Sequence, residues 1–337
     1  MSPSDRAPLR WGLVGPGGIA GRFATALEMS DGGVLHAVAS RDLTRAERFA
    51  ADHGAAVAVG SDAELFGRSD VDAVYVAVPH SSHCRLVVDA LRAGKHVLCE
   101  KPMGISGAEV RLMAAEASAA GRFLMEGMWS RFLPAYRMIT EVIGDGRIGA
   151  PLLVEGSFGF RAPFDPEHRW FDPALAGGAL LDLGVYPLHL AEHVLGPADA
   201  VHAVAALGST GVDEVTTVLT SHGEGGTGVS TCSLRLDLDW VGTIRGTAGR
   251  IVVEAPLHDP PALRVLDTSG EERIDCSYDG DGLRFELDEV HRCVAEGLLE
   301  SPTMTLAESI RFADVVEAAR RQIGVVYPSE ADPAGPR

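Results

Sequence analysis

A lysine at the end of an apolar run is the first residue here able to do chemistry. In "KHVLCEKPMG" (95–104), Val97, Leu98 and Cys99 lead straight into Glu100, Lys101 and Pro102. A lysine held partly out of water, near other positive charge, has its pKa lowered and can exchange a proton with an alcohol oxygen. Pro102 stiffens the turn and suits a cis peptide. Further on, "GGALLDLGVYPLHLAEHVLG" carries Asp182, Tyr186 and His189 at spacings of four and three. On one helix face, a carboxylate, a phenol and an imidazole would make a proton relay. Pro187 argues that the helix starts near it, which leaves Asp182 ahead of the helix and weakens the spacing argument. His189 alone reads as a buried structural histidine.

A second chemical signal is "GLVGPGGIAGRF", with Gly15, Gly17 and Ala20 in the G-x-G-x-x-A pattern and Gly18 and Ile19 between them. Gly15 allows the tight turn, Gly17 lets backbone approach a pyrophosphate, and Ala20 allows close helix–strand packing. The helix N-terminus attracts the anion. Where a second strand should end, "VASRDL" offers Ser40 and Arg41 rather than the acid that bonds an unmodified ribose. Arg41 can pair a 2′-phosphate, so NADP is the expected cofactor, with NAD possible because Asp42 is one step away. "AVPHSSHCRL" brings Pro79, His80 and His83 to the next expected loop. They border the cofactor in this reading, while Ser81 and Ser82 could instead N-cap the following helix.

These residues need a scaffold. Short apolar runs ("LRWGLVG", "VLHAVAS", "VDAVYVAVP", "HVLCEKP") alternate with helix-like segments over the first third of the chain. That alternation implies a parallel sheet covered on both faces, with ligands outside the carboxyl ends of its strands. Lys101 then closes the fifth strand, facing the nicotinamide end. From about residue 150, alternating runs such as "PLLVEGSFGF", "VTTVLTSH" and "RIVVEAP" imply a large, mostly antiparallel sheet. The fold class is α/β: a nucleotide-binding domain (1–126), a C-terminal α+β domain with an open sheet (127–330) and a short tail (331–337). By position, Trp129 and Arg131 from "EGMWSRF", and Phe160 from "FGFRAPFDPEHRWFD", are candidate substrate-pocket residues alongside Asp182 and Tyr186. Arg161, Arg169 and Trp170 sit in the same stretch.

The chain of 337 residues is 46% hydrophobic and 23% charged, which is globular composition. Its 29 basic against 47 acidic side chains give a net charge of −18, which argues against nucleic acid or an anionic membrane as partner. No uninterrupted apolar run approaches the ~20 residues of a membrane span, and the N-terminus has no signal core, so a cytoplasmic location is expected. Five dispersed cysteines fit reduced thiols, and no metal site is expected.

Taken together, "GPGGIA", "AVPHSSH", "GKHVLCEKPM" and "GGALLDLGVYPLHL" resemble the Gfo/Idh/MocA family of NAD(P)-dependent oxidoreductases over residues 9 to 325. Within it, "EGMWSRFLPAY" and "LLDLGVYPLHL" are most similar to the branch of dimeric dihydrodiol dehydrogenase and NADP-dependent xylose dehydrogenase. The resemblance implies an N-terminal Rossmann domain and a C-terminal sheet often used for dimerisation. It implies catalytic roles for Lys101 and Tyr186, with Asp182 in the same motif. A homo-oligomer, dimer or tetramer, is expected, acting on a small sugar, polyol or cyclic diol. A non-catalytic cofactor-binding regulator, or a redox-assisted lyase or glycosidase that retains its NAD, stays open at this point.

Overall fold

The computed structural model describes residues 7–331. The chain forms two compact units, Met1–Phe132 with Asp279–Ile310, and Leu133–Tyr278 with Arg311–Arg337. The boundary expected from sequence lies near residue 126. Contacts also return Asp279–Ile310 to the first unit. Of the expected tail, only Ala331 falls within the described residues.

The first unit holds strands β1 (Leu9–Val14), β2 (Gly33–Ala39), β3 (Val57–Val59), β4 (Ala73–Val76), β5 (His96–Glu100) and β6 (Leu124–Gly127). They pair in the order β3-β2-β1-β4-β5-β6, every ladder parallel. Helices α1 (Gly18–Glu28), α2 (Leu43–Asp52), α3 (Asp62–Phe66), α4 (His83–Arg92) and α5 (Gly107–Ala120) make the crossovers. Residues of β4 are buried throughout, as strands covered on both faces must be. The strand order reverses between β1 and β4, which makes that point the binding crevice of such a sheet. Gly15 follows β1, Pro79 follows β4 and Lys101 follows β5, so all three emerge at carboxyl ends.

The second unit opens with α6 (Pro134–Gly144), with Pro134 in its first turn. Its sheet contains β7 (Pro151–Gly159), β8 (Ala198–Leu207), β9 (Asp213–His222), β10 (Gly226–Ser233), β11 (Gly242–Gly246), β12 (Arg250–Val253), β13 (Ala262–Asp267) and β14 (Gly270–Asp275). The order is β14-β13-β12-β11-β7-β10-β9-β8, antiparallel except for the parallel β7–β10 pair. Helix α7 (Val185–Leu195) lies across β7 and β10. It comes close because Gly156 has no side chain: a Cβ there would stand 2.8 Å from Pro187. The helical stretch Pro173–Leu195, interrupted by Asp182 and Glu192, passes for a membrane span by length and composition alone, but 89% of its most apolar window is buried inside the protein, as in a core helix.

The chain then returns to the first unit as α8 (Leu283–Glu296), which packs on α1. Helices α9 (Leu306–Gln322) and α10 (Pro328–Ala331) complete the described residues.

Candidate active site

The first unit carries the phosphate cradle. Gly15 has φ +90, and a Cβ there would lie 2.5 Å from the Ala77 carbonyl oxygen, so only glycine makes this turn. Gly17 caps α1 without a side chain, and a Cβ added to Gly18 would meet no atom within 4 Å. The first N–H groups of α1, those of Gly18, Ile19 and Ala20, have no intrahelical acceptor by their position, which makes this helix end suited to an anion. A dinucleotide pyrophosphate fits this cradle. At the end of β2, Arg41 is exposed, and Asp42 is already engaged as the N-cap of α2, accepting from the Arg45 N–H. Ser40 accepts from the Asp42 N–H at 3.2 Å. The acid nearest the expected ribose position thus has a structural role.

After β4, Pro79 starts a short turn at His80–Ser82 that runs directly into α4. Ser82 stands at the N-cap, yet its side chain makes no capping bond, so the capping expectation is corrected: the preceding turn supplies the helix start. His83 is fully buried, with Nδ1 at 2.9 Å from the Pro102 carbonyl and Nε2 at 2.8 Å from the Val78 carbonyl. Burial pushes its pKa down, and nearby Lys101 acts in the same sense, so the ring is neutral and donates to one carbonyl at a time. His83 braces the two loops beside the crevice, its ring held between their carbonyls. His80 is buried too and meets His83 edge-on.

The Lys101–Pro102 peptide is cis. Glu100 is 5% exposed; it accepts from the Tyr75 hydroxyl and, at 3.2 Å, from the Lys101 N–H. Burial raises the Glu100 pKa, opposed by Lys101 and by the Tyr75 bond. Glu126 on β6 accepts from the Met103 N–H at 2.9 Å, fixing the turn after Lys101. Trp129 and Arg131 are drawn into the packing of this unit. Trp129 is 2% exposed beneath the Arg22 guanidinium, and Arg131 bonds Glu308 at 3.2 Å and the Thr303 carbonyl at 3.0 Å.

In the second unit, Asp182 lies in a wide π-turn, Leu180–Gly184, that runs into α7. The α-helical spacing expected for Asp182, Tyr186 and His189 is therefore broken at Asp182. What holds Asp182 is Arg169, whose two terminal nitrogens reach its carboxylate at 3.0 and 3.3 Å. Arg169 also lies over the Trp170 ring, 5.6 Å from its centroid. Tyr186 is 6% exposed and sits among rings: Phe158 at 5.6 Å and His258 at 5.1 Å. Phe158 stacks on His258 at 4.7 Å and meets Trp240 at 4.7 Å. Phe160 continues the wall against Trp170 at 5.0 Å. His189 packs between Tyr136 and Phe312, a core position. His258 and Trp240 were not singled out from sequence; they lie on irregular segments far from the Tyr186 motif, and only the sheet brings them to it. Among the described residues, no group of three His, Cys, Asp or Glu could hold a metal ion.

A glycine cradle at the switch point of a parallel sheet, with a lysine closing the neighbouring strand and a second unit built on an open sheet, defines a dinucleotide-dependent oxidoreductase. The chain belongs to the Gfo/Idh/MocA family. Residues 9–128 match the oxidoreductase family with an NAD-binding Rossmann fold, and residues 136–252 match the GFO/IDH/MocA C-terminal domain. It is 38% identical to trans-1,2-dihydrobenzene-1,2-diol dehydrogenase of Bos taurus, over 96% of this chain and 99% of the relative. The Sus scrofa enzyme of that name is 39% identical, with the same coverage. A 3-ketoreductase from Actinomadura kijaniata, solved with NADP and TDP-benzene, superposes with a TM-score of 0.86 at 29% identity, covering 94% of this chain and 98% of that one. An aldose–aldose oxidoreductase from Caulobacter crescentus, solved with glycerol, gives 0.84 at 25% identity, covering 94% and 97%.

Proposed function

We propose that this chain is an NADP-dependent dehydrogenase of small ring-shaped vicinal diols and sugars, with Lys101 and Tyr186 as its proton-transfer residues. When bound, NADP supplies the hydride acceptor or donor at nicotinamide C4. Lys101 takes the proton of the reacting hydroxyl, or returns it in the reverse direction, and Tyr186 is the second proton-transfer residue. Asp182, oriented by Arg169, accepts from a neighbouring hydroxyl of the same substrate. Backbone N–H groups of Gly18, Ile19 and Ala20 would hold the pyrophosphate, and Arg41 would pair the 2′-phosphate.

The observation that carries this reading is the aromatic cluster at Tyr186, which meets Phe158 and His258, with Trp240 packed against both of those and Phe160 and Trp170 beyond. Aromatic faces suit the C–H face of a pyranose or the ring of a dihydrodiol. The mammalian relatives are named for a cyclic trans-diol, which agrees. The test follows reduced-nicotinamide absorbance over a panel containing trans-1,2-dihydrobenzene-1,2-diol, D-xylose and D-glucose, each with NADP and NAD. Turnover of a ring diol or aldose with NADP is expected. Cofactor binding with no turnover across the panel would sink the proposal in favour of a regulator.

Two further points belong to the same reading. Val204 and Leu219 project exposed from one face of β8 and β9, opposite the face covered by α7. A second copy of the chain covering that face would make a homo-oligomer. All five cysteines are free, which suits a reducing compartment such as the cytoplasm.

A further inference from the structure

Glu286, on α8, has no part in the chemistry above, yet it is completely buried. Neither of its carboxyl oxygens has a hydrogen-bond partner among the described residues. It lies across Gly127 from the strand that ends in Lys101: a Cβ on Gly127 would stand 3.6 Å from Glu286 Oε2 and 3.6 Å from Glu100 Cα. The charged and titratable groups facing it are Glu100 from β5, Tyr75 from β4, Arg22 from α1 and Asp281 just ahead of α8.

A charge count decides its state. Arg22 is taken by Asp281, which it grips with two nitrogens at 2.8 and 2.9 Å. Lys101 offsets Glu100. An ionised Glu286 would then be a buried anion with no hydrogen-bond donor, its nearest cation already shared with Asp281, a state that a group avoids by taking up a proton. Its pKa is accordingly pushed well above the carboxylate range, first by burial and then by Glu100. A neutral carboxylic acid is an O–H donor. Glu100 is an acceptor with capacity left, since the bonds from the Tyr75 hydroxyl and the Lys101 N–H use one oxygen each.

We propose that Glu286 is a permanently protonated acid that donates to Glu100, directly or through one bridging water, and so keeps Glu100 ionised beside Lys101. It is a positioning residue, and the proposal rests on the reading of Lys101 as a proton-transfer group. Without this donor, Glu100 binds its proton more tightly, its negative charge weakens, and the Lys101 pKa falls. The acid limb of the oxidation rate then moves to lower pH.

The test uses Glu286→Gln, which keeps a neutral donor, Glu286→Leu, which removes it, and Lys101→Met. The rate is read as NADP reduction by trans-1,2-dihydrobenzene-1,2-diol or D-xylose across pH. In the Leu variant the acid limb should move down by about half a pH unit or more, and in the Gln variant it should stay within about 0.2 units of wild type. Infrared difference spectra of wild type against Glu286→Gln should show a protonated-carboxyl C=O band that persists from about pH 5 to about pH 9. A wild type without that band overturns the protonated state, whatever the kinetics. A limb that moves as far in Gln as in Leu, or stays in place in Leu, overturns the coupling while leaving the lysine reading intact. A Lys101→Met enzyme with the wild-type limb overturns both.

Discussion

Trp11 and His291, 280 residues apart in the chain, are joined by a hydrogen bond from the indole Nε1–H to the imidazole Nε2 at 3.0 Å. An indole nitrogen can only donate, so this His291 nitrogen must accept, and the ring is the neutral Nδ1–H form. Nδ1 then donates to Ser30 Oγ at 2.9 Å, and Ser30 donates to Asp288 at 2.8 Å. Gly33 makes room for the pair, since a Cβ there would stand 2.6 Å from both bonded nitrogens. The chain of bonds seats α8 on β1 and explains why Asp279–Ile310 belongs to the first unit.

Acid should weaken this seat. Burial lowers the His291 pKa to about 4, against an ordinary value near 6.5 in the unfolded chain. Between those values the unfolded state binds a proton that the native state refuses. The contribution is therefore complete above about pH 6.5 and is lost as pH falls toward about 4, with a ceiling of roughly 3 kcal/mol. Urea unfolding of wild type and His291→Leu at a series of pH values reads it. The variant should be less stable near neutrality and show a flatter loss between those pH values.

The cradle makes two opposite predictions. Gly15→Ala forces a Cβ against the Ala77 carbonyl at a φ of +90, so it should lower stability by about 1–3 kcal/mol as well as cofactor affinity. Gly18→Val meets no protein atom within 4 Å at its Cβ. It should leave the melting temperature near wild type and weaken NADPH binding at least tenfold, about 1.4 kcal/mol, measured by fluorescence titration.

Arg41 should choose the cofactor. Removing its guanidinium in Arg41→Ala should raise the KM for NADP by about tenfold or more and leave the KM for NAD within about twofold, because the 2′-phosphate is the only difference between them. Initial rates with each cofactor decide it, and equal losses for both would count against the assignment.

Arg169 should act through Asp182. Asp182 is 7% exposed, while Arg169 is half exposed, so loss of the pair should cost about 1–2 kcal/mol of stability rather than the larger figure for a fully buried pair. Arg169→Gln should raise the KM of a diol or sugar substrate several-fold with a smaller change in kcat. Arg169→Lys should recover only part of it, since one ammonium cannot reproduce a two-nitrogen grip.

Much of this site was legible in the amino-acid sequence because it is local. The glycine turn and the strand ending in Glu100-Lys101-Pro102 each lie within one short segment whose pattern dictates its conformation. Asp42 could be doubted as a ribose ligand from its position alone, and the N-cap bond to Arg45 gives the reason. What sequence could not give were pairings over long separations. Trp11 with His291, Tyr186 with His258, and Glu286 with Glu100 depend on packing that no local period encodes. The packing of Arg131 and Trp129 was hidden for the same reason: their partners Glu308, Thr303 and Arg22 are distant in the chain. The π-turn at Asp182 likewise breaks the 3.6-residue period on which the expected shared face depended.

The central claim is that Lys101 and Tyr186 move the substrate proton while taking no essential part in holding the cofactor. Single-turnover reduction of NADP by the best substrate of the panel, measured in wild type, Lys101→Met and Tyr186→Phe alongside the NADPH dissociation constant of each, tests it most directly. The account predicts a loss of at least about a hundredfold in rate for both variants, with NADPH affinity within about threefold of wild type. Hydride transfer at the wild-type rate in either variant would contradict it.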